Sequence, residues 1–206
     1  IAMTQAVASI CSSLDLPLVF SSTANVTTSN SKLDPYARSK LHSERLIARS
    51  CKKYSIVRFP LVVGENSPIV KAIERHLSRW RFLPLIGRQQ GRVQPVPINK
   101  LIRCLAEHIA DPTSISKELT IVGREIYTYG ELWKNIARHS RLPHIQLEVP
   151  ESLAILMMRC LKFIGRSTAV NIEQIKGLKT DKLISVECHQ TNCLIIDNQV
   201  NQLFDY

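Results

Sequence analysis

Val19-Phe20-Ser21-Ser22-Thr23, followed thirteen residues later by Tyr36-Ala37-Arg38-Ser39-Lys40, decides how the 206-residue chain is read. Leu16-Pro17-Leu18-Val19-Phe20 is a short apolar run that closes in small hydroxyl side chains. It predicts a strand over 16–22 buried on both faces, as in a parallel sheet covered by helices. Asp34-Pro35 reads as a helix start, because Asp can cap and Pro suits the first helical position. Tyr36 and Lys40 then stand at i and i+4, on one face of that helix.

A phenol beside an ammonium group, approached by a strand that ends in a hydroxyl, is an arrangement for moving a proton. Tyrosine ordinarily titrates near 10, so a tyrosine serving as a base near neutrality needs about 4 kcal/mol of differential stabilisation. One close cation supplies about 1 to 3 pKa units. Lys40 alone is marginal, and a second positive charge, such as an oxidised nicotinamide ring, closes the gap. Thr23 is placed to hydrogen-bond a substrate oxygen and hold it near the phenol, with Ser22 as a helper. The chemistry implied is oxidation of a secondary alcohol or reduction of a ketone. Tyr-x-x-x-Lys by itself is more often the mark of a solvated helix face. Here a buried strand precedes it and a second strand, 54–59, follows.

Three motifs occur in one order: Phe20-Ser21-Ser22-Thr23-Ala24, Tyr36-Ala37-Arg38-Ser39-Lys40 with Glu44, and Val57-Arg58-Phe59-Pro60-Leu61-Val62-Val63-Gly64. Together they resemble the catalytic half of the short-chain dehydrogenase/reductase superfamily, most of all its extended, NAD-dependent epimerase/dehydratase branch. The resemblance implies Thr23 as the catalytic hydroxyl, Tyr36 as the acid/base, and Lys40 as the ribose-binding lysine beside it. It also implies cofactor contacts at Ser21, Ser22, Tyr36, Lys40, Pro60 and Leu61, with NAD or NADP as cofactor. Some positions depart from the pattern. Sugar-nucleotide epimerases often carry Asn where Leu61 stands and Tyr-Gly where Thr27-Thr28 stands, and the Thr23–Tyr36 spacing is short. The departures bear on a nucleotide-sugar substrate rather than on the chemistry.

Composition sets the outer bounds. A chain that is 45% hydrophobic can bury a sizeable core as one large or two small domains. No apolar run approaches the roughly 18 residues needed to span a bilayer. Ile1-Ala2-Met3-Thr4 lacks the plan of a signal peptide, so the default localisation is cytoplasmic. The six cysteines read as reduced thiols. Cys188-His189 with Cys193 lacks the second matching pair of a metal site. The net charge of +10 makes nucleic acid the obvious rival partner. Against it, Lys and Arg are dispersed and aromatic residues make up 6% of the chain, so no stacking platform is visible.

In order along the chain, Met3, Val7, Ile10 and Leu14 form the stripe of an amphipathic helix. The helix from Pro35 to about Lys52 is expected to pack on Ala37, Leu41, Ala48 and Cys51. Ser67-Pro68 opens a helix with Val70, Ile73, Leu77 and Trp80 inward. Among Arg75, Arg79, Arg81, Arg88 and Arg92, some are candidates for substrate phosphates. Gly87–Gly91 reads as a hairpin turn between strands 83–86 and 93–98, and Asn99 as the cap of the next helix. Strand 118–123 precedes Thr128-Tyr129-Gly130-Glu131, a capping box, and 144–149 is a further strand. Pro150 opens a helix through Ile164, whose Met157, Met158, Cys160 and Phe163 serve a core or a subunit contact, such as a homodimer. Asn171 caps a last helix, and the tail from Leu178 is left without an assignment.

A dinucleotide-binding fold needs a Gly-rich turn between a strand and a helix to receive the pyrophosphate. The seven glycines contain no such turn. The expectation is therefore an α/β chain: the second half of a Rossmann-like doubly wound parallel sheet (1–64), then a smaller mixed α/β substrate region (65–206) partly interleaved with it. The parent would be an NAD(P)-dependent oxidoreductase, epimerase or dehydratase acting on a small molecule, nucleotide sugars included. Alone, the chain is expected to bind NAD(P) poorly and to turn over nothing. Two rivals remain: a non-catalytic dinucleotide-binding subunit of the same fold within an assembly, and a basic nucleic-acid-binding module.

Overall fold

The computed structural model describes residues 2–27, 35–87, 90–111, 118–156, 181–183 and 192–199. Its elements run α1 (Ala2–Ser13), β1 (Leu18–Thr23), a 3-10 turn (Ala24–Thr27), α2 (Pro35–Ser50), β2 (Tyr54–Phe59) and β3 (Val62–Val63). There follow α3 (Pro68–Trp80), β4 (Phe82–Ile86), β5 (Arg92–Val93), β6 (Val96–Pro97), α4 (Ile98–Ala110) and β7 (Glu118–Gly123). The described elements end with β8 (Tyr127–Thr128), α5 (Tyr129–His139), β9 (Ile145–Val149) and β10 (Asn192–Ile196). The chain forms two compact units: 1–62 with 94–125 and 183–206, and 63–93 with 126–182.

The first unit is built on a four-stranded sheet in the order β1-β2-β7-β10. Every pair in it is parallel. Phe20 lies opposite Ile56, and one row further on Ser22 lies opposite Arg58, which lies opposite Thr120. α1 and α2 cover one face, where Ala8, Ile47 and Cys51 pack with Leu18, Phe20, Leu46 and Tyr54. α4 covers the other, where Val57, Val96, Leu101, Ile121 and Ile196 pack with Phe59, Cys104 and Leu105. Helices on both faces of a parallel sheet make a doubly wound α/β fold, as the sequence predicts.

Edge position explains where burial departs from expectation. β1 starts at Leu18 and is not buried along its length: Val19 and Ser21 are exposed. Only β2 pairs with it among the described strands, so it is an edge strand. The α1 stripe is likewise exposed, Met3 at 82% and Leu14 at 63%, and the helix is held instead through small Ala8. On α2 the buried side chains are Ala37, Ser43, Glu44 and Ile47, whereas the expected Ala48 is exposed.

At the carboxyl edge, Asn198 is fully buried. Its Nδ2 donates to the carbonyls of Pro95 (2.8 Å) and Glu125 (3.0 Å), while its Oδ1 accepts from the Glu125 N–H (2.6 Å). Gly123 passes this knot so closely that a Cβ would strike both Asn198 and the Pro95 carbonyl. α4 begins one residue ahead of Asn99, which therefore does not cap it; Asn99 Oδ1 accepts from the Lys100 N–H at 2.7 Å. β10 lies in the tail that the sequence left unassigned.

In the second unit α3 buries Val70, Ile73 and Leu77, but Trp80 is exposed and stacks under the Arg79 guanidinium. The expected hairpin does not form. β4 pairs parallel with β9, and β5 pairs antiparallel with β8. The capping box of α5 is complete: Thr128 Oγ1 accepts from the Glu131 N–H (3.1 Å), and Glu131 Oε2 accepts from the Thr128 N–H (2.8 Å). Residues 151–156 are helical. The rest of that helix and the Asn171 cap lie outside the described residues.

Candidate active site

α2 carries Tyr36 in its first turn and Lys40 in its second, spaced four residues apart on one face. The Lys40 side chain leans onto β1. Its Nζ donates to the Ser21 carbonyl at 2.9 Å, stands 4.8 Å from the centroid of the Phe20 ring and 6.0 Å from that of Tyr36. An ammonium group over an aromatic face is held electrostatically as well as by its hydrogen bond. One of its three protons goes to Ser21. Tyr36 itself is 58% exposed, so its ring is turned toward solvent more than a full convergence of the three predicted groups would require.

Thr23 ends β1, buried to 7% exposure. Its Oγ1 accepts from the Asn25 N–H (3.3 Å), a use that leaves the hydroxyl proton to be donated elsewhere. Ser22 is also buried, and its Oγ has no partner among the described residues. Strand alternation sends Ser22 to the α2 face, with Arg58, and Ser21 to the opposite face, with Val57. Pro60 and Leu61 follow the end of β2, half-buried, and the Leu61 carbonyl accepts from the Val96 N–H (2.9 Å). The structure therefore joins Lys40 to the Ser21 carbonyl and sets the Tyr36 ring centroid 6.0 Å from the Lys40 nitrogen. Thr23 and Pro60-Leu61 stand at the ends of adjacent strands along the same sheet edge.

Beside this set lies an ionic group whose partners were not read from the sequence. Glu44, one turn beyond Lys40, accepts from Arg58 Nε (3.0 Å) and Nη2 (2.7 Å). Arg58 Nη1 donates to Glu118 Oε2 (2.6 Å). Burial works to lower the Arg58 pKa, but the hydrogen bonds and charges of Glu44 and Glu118 outweigh it and raise the pKa. The available signal was a single Arg inside the strand pattern 54–59 and a Glu continuing the Tyr36–Lys40 stripe. At the amino end of β2, buried Ser55 bonds His108 Nε2 of α4 at 2.6 Å.

Of the arginines proposed for phosphates, Arg92 is taken by Asp181, bonded through Nε and Nη2 as well as its backbone N–H. Arg81 is the left-handed stop of α3, with φ 53°. Arg88 lies outside the described residues. A surface groove of about 470 Å³ lined by Tyr127, Glu131, Lys134 and Arg138 contains none of the predicted site residues. Among the described residues no His/Cys/Asp/Glu cluster could hold a metal, and Cys11, Cys51, Cys104 and Cys193 form no disulfide. Cys188 and His189 lie outside the described residues. Within the same limits, no helix is long and apolar enough to cross a membrane.

No protein-family model matches the chain. Its fold is that of solved nicotinamide-dependent enzymes. Over 97% of its length it superposes on 68% of dTDP-4-dehydrorhamnose reductase from Bacillus anthracis, solved with NADP, at a TM-score of 0.67 and 16% identity. It covers 65% of UDP-glucuronic acid 4-epimerase from Bacillus cereus, solved with UDP-glucuronic acid and NAD, using 88% of its own length (TM-score 0.61, 18% identity). In sequence it is 24% identical over 157 residues to NADH dehydrogenase [ubiquinone] 1 alpha subcomplex subunit 9, mitochondrial, of Arabidopsis thaliana. That match takes in 72% of the chain and 39% of the relative, so the chain spans about two-fifths of the curated protein it matches.

Proposed function

We propose that this chain is the catalytic-edge portion of an NAD(P)-dependent oxidoreductase, epimerase or dehydratase that acts on a carbonyl or secondary alcohol of a nucleotide-linked sugar. The observation that carries this reading is the Tyr36–Lys40 pair set on α2 with the Lys40 ammonium tied to the carboxyl end of β1. In open α/β sheets, ligands bind beyond that end of the strands.

The residues present fit the nicotinamide-ribose end of a dinucleotide. Lys40 offers its remaining protons to ribose hydroxyls beside Tyr36. Ser21, Ser22, Pro60 and Leu61 line the edge where the ring would lie. The Gly-rich turn for the pyrophosphate is not among the 206 residues. A nicotinamide held there would supply the hydride acceptor or donor. Tyr36 Oη then takes the alcohol proton, or returns it to the carbonyl oxygen in reduction. The Thr23 hydroxyl donates to the same oxygen and orients it.

The test is hydride transfer between nicotinamide and a nucleotide-sugar substrate, measured on the polypeptide bearing this sequence. Tyr36→Phe should lower kcat by about 10² to 10⁴-fold, the usual worth of a general acid–base, with dinucleotide affinity little changed. Undiminished turnover in that variant overturns the assignment.

The likeness to a named subunit of a mitochondrial NADH dehydrogenase supports a second reading, in which the same fold holds a dinucleotide inside an assembly. Leu61, standing where epimerases often carry Asn, agrees with it. Dinucleotide binding that Lys40→Met weakens, without turnover of any substrate, would select that reading.

A further inference from the structure

We propose that Glu44 and Arg58 are positioning residues, which fix the rotation and height of α2 on the sheet and so hold Tyr36 and Lys40 at the carboxyl end of β1. The purpose rests on the functional reading above; the geometry stands apart from it. Tyr36, Lys40 and Glu44 follow one another at steps of four, so a setting imposed at Glu44 is transmitted along a single helix face. Both oxygens of Glu44 are taken by one guanidinium, and its third arm holds Glu118 on the neighbouring strand. Helix and two strands are thereby tied through one side chain.

Packing alone would fix α2 weakly. Besides Glu44 its buried side chains are Ala37, Ser43 and Ile47, and only Ile47 is large enough to interlock. Filling this layer with an ion pair is not the most stabilising choice, since buried pairs can be replaced by well-packed apolar residues at no loss. What the fork adds is direction. Two parallel N–H···O bonds define both an angle and a height, which a contact between aliphatic side chains does not.

The test is the double variant Glu44→Leu/Arg58→Met, chosen because it keeps the layer filled. The readout is the NMR signal of the Lys40 ε-methylene, assigned with Lys40→Arg. In the parent it should be shifted upfield, because Nζ stands over the Phe20 ring at 4.8 Å from its centroid. The expected result is a thermal midpoint close to the parent's with the upfield shift lost. A folded double variant with the Lys40 signal unmoved overturns the proposal. Should that variant not fold, Glu44→Gln, which keeps one acceptor and loses the charged fork, decides by the same signal.

Where turnover is measurable, the positioning role predicts kcat lower by about a hundredfold with KM little changed, the effect of a misplacement near 1 Å. If the parent shows the shielded lysine but transfers no hydride, the functional reading fails, and the Lys40 resonance alone still decides the positioning.

Discussion

The two faces of the first unit's sheet are built on different principles. Beneath α4 the layer is mainly aliphatic, with Val57, Val96, Leu101, Ile121 and Ile196 in one cluster and the Ser55–His108 hydrogen bond at its amino end. Beneath α2 the same strands present Phe20 and Ile56 but also Ser22, Arg58 and Thr120. Both hydroxyls there, Ser22 Oγ and Thr120 Oγ1, are buried without a partner among the described residues. The α4 face is stabilised mostly by area removed from water, which is indifferent to direction, with one directed contact at Ser55. The other gives up part of that stabilisation for directed polar contacts, and it is the face whose helix bears Tyr36 and Lys40.

The contrast can be broken most sharply at Arg58. Arg58→Met alone strands Glu44 in the interior and should cost about 3–5 kcal/mol in denaturant unfolding, far more than the double variant above. A loss under about 1 kcal/mol would mean that water already reaches the pair. Next in size, Thr120→Val removes a buried hydroxyl that has no partner among the described residues, and should raise stability by about 1–2 kcal/mol. Destabilisation there would reveal a partner for Thr120. On the aliphatic face Ile121→Val should cost about 1 kcal/mol, a simple volume effect, with no change in any property of Lys40.

The smallest effect compares two thiols, Cys51 under α2 and Cys104 on α4. Burial is the main cause that raises both pKa values, assisted by Cys11 for Cys51 and by Glu107 for Cys104. A thiol raised in the folded state contributes stability below its unfolded pKa, near 8.5, and loses it as pH rises through the folded value. Alkylation of both should be slow at neutral pH and accelerate above it, Cys51 remaining the slower because it is the more buried. Rapid labelling of Cys51 at pH 7 would contradict its burial.

Much of this was legible in the sequence, for reasons that differ by residue. The strand 54–59, the helix from Pro35 and the Thr128–Glu131 box carry their own local signals, so they appear where expected. Misreadings arose where the outcome depends on partners distant along the chain. Val19 and the α1 stripe look like core, yet β1 is an edge strand in the described sheet. Gly87–Gly91 has the composition of a hairpin turn, but β4 finds its partner in β9, near sixty residues later. Asn192–Ile196 is too short an apolar run to announce a strand until β7 stands beside it. At the candidate site the motif spacing gave Tyr36 and Lys40 one helix face. It carried no information on Glu118, which reaches Arg58 only because β2 and β7 are neighbours.

β10 joins β7 in parallel although some seventy residues separate them in the chain. During synthesis, at about 5–20 residues per second, the ribosome must finish the whole insertion before the fourth strand emerges. For several seconds β7 is therefore an outer strand with its N–H and C=O groups unmatched on one side. Only when residue 198 arrives can its amide clamp the Pro95 and Glu125 backbones beside Gly123. A nascent chain arrested just short of Asn192 should accordingly exchange its β7 amides quickly, and one released past Asn198 should protect them.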